Sequence, residues 1–280
     1  MAPRKAGGSE LVAVTNQYPK DVLEALNELT AVTHSPKAHH LREALRRHLE
    51  AHGQLPRPLW EFCGEQVPVI ISSLDERQTA SLPEMYALIQ LGDRLAPSRL
   101  DVYLDSDPAW KRGTDMHDSF IVLGGPRQNR VAAELLGHWD EVVPFELTET
   151  ESSGGARYAL RNRQTGETWV PDSAPEERVA NDFSDFGLVV KAPSPRGSGT
   201  CLLLAGCHAF GTHAAVRALT DRRSVGVITR LLPSPDTNFA AVVQVRVRNF
   251  WPEPPVVAEL EVIEGRARVS AAGGRRRATR

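Results

Sequence analysis

Long hydrophobic runs are missing from this 280-residue chain: no stretch approaches a membrane span, and residues 1–9 lack the greasy core of a signal peptide. A cytoplasmic protein with no membrane partner is therefore expected. Cysteine is scarce. Cys63, Cys201 and Cys207 make neither a disulfide framework nor a metal quartet, so structural thiols and no bound metal are expected. An excess of one charge is also absent, with 33 Lys and Arg against 35 Asp and Glu. No repeat period appears, which excludes a solenoid. Neither GxGxxG nor a Walker A sequence occurs, so no cofactor is assigned.

What is present begins with 41% hydrophobic residues, enough for one domain of ordinary size beside a small module. Between residues 11 and 18, Val12, Val14, Asn16 and Tyr18 alternate with Ala13, Thr15 and Gln17, the period of a half-buried strand. Pro19 lacks a ladder donor and suits a helix's first turn, so the strand stops there. Val22, Leu23, Leu26, Leu29 and Val32 then recur at helical spacing. Ser35-Pro36 restarts the chain as N-cap and first helical residue, and Leu41, Ala44, Leu45 and Leu49 stripe a second helix. One strand and two short helices hold too little core to stand alone, so this unit should pair with a second copy.

That order of elements resembles the ribbon-helix-helix DNA-binding fold of the Arc/Met repressor and CopG family. The resemblance implies a homodimer or higher homo-oligomer whose paired strands enter the major groove of double-stranded DNA. By position before the proline, Ala13, Thr15 and Gln17 would read bases, Gln17 bonding adenine bidentately. Ser35, Lys37 and Ala38 at the start of the second helix would hold a backbone phosphate. Asn16 departs from the apolar residue usual in the family, and residues 1–52 carry only seven Lys and Arg against six Asp and Glu. The alternative for this unit is an amphipathic hairpin that only dimerises or docks.

Pro56 and Pro58 end the second helix, and residues 53–66 read as a stiff linker or as a docking segment ending in Leu59, Trp60 and Phe62. Beyond them, apolar strands at 67–73, 100–104, 119–124, 186–191, 201–205 and 241–248 are interleaved with helices at 83–95, 129–139 and 212–220. Residues 142–148, 157–161 and 167–170 alternate around glycine turns and read as an inserted antiparallel ribbon. The expected fold class is α/β: a ribbon-helix-helix module at 9–52, the linker, a three-layer domain with a largely parallel sheet at 67–265, and a basic tail at 266–280. That tail holds six arginines and no acid, and is expected to be disordered.

Two strand-glycine-helix turns are the candidate site. The first runs from Gly124 and Gly125 to Asn129, and the second from Gly206, Cys207 and His208 to Gly211 and Thr212. Such turns bring helix N-terminal amides to one place, which suits a phosphate or carboxylate. On parallel neighbours both would lie at one sheet edge. The glycines equally suit plain tight turns. The GGPxxN loop, the DFGL strand and the LLAGxxxxGTxxA turn resemble Rossmann-like nucleotide-sensing domains of bacterial regulatory and conflict-system proteins. That resemblance implies a nucleotide-like small molecule near those residues.

An enzymatic alternative rests on Cys207-His208, with His213 beyond, as a thiol nucleophile of lowered pKa. Asp105, Asp107, Asp115 and Asp118 form a second acidic candidate, for a hydrolase or a metal. The expectation is nevertheless a dimeric transcription regulator without catalysis; in the alternative, a Rossmann-like enzyme or conflict-system effector, the N-terminal module only dimerises.

Overall fold

The computed structural model describes residues 19–38, 40, 41, 44, 45, 48, 59–72, 81–96, 98–107, 119–152, 155–172, 182–195 and 199–263. The chain divides into two compact units, residues 1–55 and 56–280. The expected strand at 11–18, with Ala13, Thr15 and Gln17, lies outside the described residues, as do Asp115, Asp118 and the tail from 266.

In the first unit α1, Lys20–Thr33, starts after Pro19, whose carbonyl accepts from the Leu23 amide at 3.1 Å. Proline is at home there, because its missing donor falls where a helix has no acceptor to offer. The helix closes on His34 in the left-handed conformation (φ 54°), with the His34 amide donating to Thr30 O. The described residues from 37 to 48 are helical again. Of the α1 stripe only Leu26 is buried, while Val22, Leu23, Leu29 and Val32 are 38–79% exposed.

The second unit is built on one eight-stranded mixed sheet. Strands β1 (Gln66–Ile71), β2 (Arg99–Leu104) and β3 (Phe120–Leu123) are followed, after a three-stranded insertion, by β7 (Asp182–Pro193), β8 (Thr200–Gly206), β9 (Phe239–Arg248), β10 (Trp251–Pro252) and β11 (Val256–Val262). The insertion is an antiparallel sheet of β4 (Phe145–Ser152), β5 (Gly155–Asn162) and β6 (Thr168–Trp169). Strands β2, β1, β3 and β8 run parallel in that order. From β8 outward the pairing is antiparallel, through β7 to β9 and on to β10 and β11. The sheet is thus half parallel and half antiparallel, a correction to the largely parallel sheet expected. Because β7 occupies one edge of β9 over the whole of β9, β10 and β11 share the opposite edge of β9.

Helices cover one face of this sheet: α2 (Leu82–Leu95), α4 (Ala209–Thr220) and α5 (Arg222–Leu231) bury Leu91, Leu95, Val216, Leu219 and Ile228 against it. The other face carries α3 (Arg130–His138), whose Val131 and Leu135 join Phe145 and Leu160 of the small sheet in a second core. Alternate residues of each strand feed the two cores, as Val189 and Leu204 enter one and Leu188, Val190 and Leu203 the other. Ser81 starts α2 by accepting from the Glu84 amide while its hydroxyl donates to the Glu84 carboxylate, a reciprocal cap. Of the two readings of the segment before the sheet, docking describes Leu59 and Trp60. Both are buried in the helical core, and the Trp60 indole donates to Leu219 O at 3.0 Å. No helix among the described residues is long and apolar enough to cross a membrane.

Candidate functional site

The carboxyl ends of β1, β2, β3 and β8 bring Ser72, Asp105, Gly124 and Gly206 to one edge of the sheet, because these strands are parallel neighbours. The antiparallel β7 delivers Asp185 and Phe186 to the same edge, with Gly187 opposite Gly206. Both glycine loops therefore sit side by side, joined where the Gly124 amide donates to Leu204 O at 2.9 Å. This is the position at which open α/β sheets hold ligands.

Three glycines set the backbone packing here. A Cβ on Gly187 would strike Gly211 O, one on Gly206 the Thr212 amide and the Gly211 carbonyl carbon, and one on Gly211 the Phe186 carbonyl. The first turn of α4 thus lies directly on the strands, closer than any side chain permits. Gly124 is held at φ 113°, and a Cβ there would enter the Ser72 hydroxyl. Gly125 is looser, since its Cβ would lie 3.3 Å from Gly206 O.

Four of the helix amides at this edge bond the protein's own acceptors. Asn129 caps α3, its side-chain oxygen accepting from Val131 and Ala132, while its amide group donates to Ile70 O and Leu123 O. Asp105, buried at the end of β2, accepts from the Arg130 amide at 2.7 Å. Asp185, wholly buried, accepts from the Gly211 amide at 2.7 Å through Oδ2. Asp105, Asn129 and Asp185 thus take up the Arg130, Val131, Ala132 and Gly211 amides of the two helix N-termini. Side chains from other strands reach in to satisfy orphan donors that the local sequence leaves open.

His208 is held by the same carboxylate, its Nδ1 3.3 Å from Asp185 Oδ1. Its side chain is only 9% exposed, and its Nε2 is buried without a hydrogen-bond partner among the described residues. Ser72 Oγ, just beyond β1, is buried in the same condition. An unmet buried polar atom costs about 1–3 kcal/mol, so such atoms mark places where something else belongs.

The residues of the thiol alternative do not form a nucleophile and base. Cys207 is buried in the core beneath α3 and the small sheet, and burial, reinforced by the charge of Asp185, pushes its thiol well up rather than down. His213 lies on the other side, 3.2 Å from Gln90 of α2, where burial drives its pKa down to about 4. Asp107 belongs to the turn after β2, its amide donating to Leu104 O. No cluster of three metal-ligating side chains occurs among the described residues.

Of the nucleic-acid candidates, Ser35, Lys37 and Ala38 are described. The Ser35 hydroxyl donates to Thr33 O at 3.5 Å, and Lys37 and Ala38 open the second helical stretch, exposed. The site residues that sequence reasoning missed are Ser72 and Asp185. Asp185 stands in the DFGL segment, where its offset of two residues from Gly187 and its apolar surroundings were the available signal. Comparison with known proteins adds no assignment: no protein-family model matches the chain, and no curated protein matches its sequence.

Proposed function

We propose that this chain is a dimeric, sequence-specific DNA-binding transcriptional regulator. In this reading residues 9–52 form a ribbon-helix-helix head, and a Rossmann-like second domain binds a nucleotide-like small molecule at the carboxyl edge of its sheet. The observation that carries it is the α1 stripe. Val22, Leu23, Leu29 and Val32 remain exposed in the single chain while only Leu26 is buried. A helix whose apolar face finds so little cover in its own unit supports completion by a second copy. The alternation of residues 11–18 in the sequence, ahead of this helix, supports a paired ribbon that enters the major groove.

For the second domain, support comes from two neighbouring strand-helix turns at one edge together with Ser72 Oγ and His208 Nε2, which have no hydrogen-bond partner among the described residues. Selection of bound sequences from random DNA, with full-length protein and with Gln17→Ala, tests the head. A palindromic site bound by a dimer, weakened by about 1–3 kcal/mol in the variant with non-specific binding retained, is the expected result. Equal loss on cognate and scrambled duplexes would remove the base-reading role.

A further inference from the structure

We infer that His208 is the specificity-determining residue of the carboxyl edge, accepting through Nε2 a hydrogen bond from a hydroxyl or N–H group of a nucleoside. The inference rests on the ligand-binding reading of that edge and narrows the ligand from an anion to a neutral donor.

The tautomer follows from the partner. A carboxylate only accepts, so Asp185 Oδ1 beside Nδ1 places the ring proton on Nδ1. A neutral imidazole protonated there offers a bare lone pair at Nε2. That nitrogen is buried and has no partner among the described residues, on a side chain nine-tenths enclosed. Asp185 is itself fixed by the Gly211 amide, so the ring has little freedom to turn its acceptor elsewhere.

Charge argues against a phosphate at the same place. Carboxylates of Asp185 and Asp105 stand at the first turns of α4 and α3, holding the Gly211 and Arg130 amides that a phosphate would need. Beside His208 an incoming anion would meet the Asp185 carboxylate and a Gly211 amide already bonded, while at Asp105 the Arg130 guanidinium, 3.9 Å away, offsets the charge. A hydroxyl or amine hydrogen brings no charge and meets an acceptor that lacks a partner. Ser72 Oγ, across Gly124 at the end of β1, supplies a second unpaired group able to donate or accept. Two parts of a nucleoside carry suitable donors, the sugar hydroxyls and the exocyclic amine of the base.

Full-length protein is titrated with adenosine, purine riboside, 2′,3′-dideoxyadenosine and AMP, reading melting temperature and calorimetric affinity, while nitrogen NMR reads the His208 tautomer. Adenosine is expected to raise the melting temperature, and AMP to bind no tighter. Loss with purine riboside assigns the donor to the base amine, and loss with the dideoxy compound assigns it to the sugar. In Asp185→Asn an NH2 replaces either Oδ2, which accepts from Gly211, or Oδ1, which accepts from Phe186 and faces Nδ1. With the NH2 at Oδ1 the ring proton moves to Nε2, which nitrogen NMR of the variant reads. That variant should weaken adenosine at least tenfold, as should His208→Phe. A native His208 protonated at Nε2 overturns the inference without any ligand. Adenosine binding that survives both substitutions overturns it while leaving the edge a ligand site. Tighter binding of AMP than adenosine also overturns it. No shift with any compound, the lone pair being met by an ordered water alone, removes both the inference and the reading beneath it.

Discussion

Asp185 of β7 accepts the amide hydrogen of Gly211 at 2.7 Å, so the first turn of α4 is capped by a strand residue 26 positions earlier in the chain. The bond ties the antiparallel half of the sheet to the helix that leaves the parallel half. Asp185→Ala strips the acceptor from a buried amide and the partner from His208 at once. A loss on the order of 2–4 kcal/mol is expected, measured by urea unfolding. Asp185→Asn, which retains an oxygen, should lose clearly less. Equal losses for the two would show that the carboxylate acts through packing and not through this bond.

Glycines in this domain divide by what a methyl group would meet. Gly206→Ala drives a Cβ into the backbone of Gly211 and Thr212, so α4 must move off the sheet, with an expected cost on the order of 2–4 kcal/mol. Gly226 lies inside α5 with open space around it. Gly226→Ala should therefore gain about 0.5–1 kcal/mol by lowering the entropy of the unfolded chain. Thermal unfolding of both variants checks the contrast, and a tolerated Gly206→Ala would contradict the close approach.

Much of the second domain was legible because β1, β3 and β8 are short apolar runs separated by helices with clear caps at Ser81 and Asn129. The direction of β7 was not. A strand buried on both faces reads as parallel, but here Leu188, Val189 and Val190 are buried because β7 lies between two packed layers while running antiparallel to β8. Helix α5 was missed for a local reason: Arg222–Leu231 is short, contains Gly226 and is rich in β-branched residues, all unfavourable to helix. Packing of Val225 and Ile228 into the core overrides that preference. The glycine loops were visible in sequence, whereas Ser72 and Asp185 join them only through strand pairing, which single-chain spacing does not encode.

Trp60 anchors the segment that precedes the sheet. Its ring is buried among the helices, and its indole N–H donates to Leu219 O. Trp60→Ala leaves a large void and an unmet carbonyl, so about 3–5 kcal/mol of stability should be lost. Trp60→Phe fills most of the space and should recover much of it. Were residues 59–63 only a tether, both variants would unfold at the same denaturant concentration as the native protein.

His213 gives the domain an acid-sensitive seam between α2 and α4. Its ring lies tilted against that of Tyr86 and faces Gln90, and it is kept neutral by burial and by the nearby Arg217 charge, with its pKa lowered from 6.5 to about 4. Between those two values the unfolded chain binds a proton that the folded chain refuses. Stability contributed by the neutral ring is therefore fully present above pH 6.5, declines as pH falls through the window, and reaches its full loss below pH 4. The expected size of that loss is on the order of 2–3 kcal/mol. His213→Gln retains a hydrogen-bonding group for Gln90 and cannot titrate, so urea midpoints of this variant should fall less steeply across the same range. If native and variant proteins show the same pH slope between 6.5 and 4, the seam does not report its protonation.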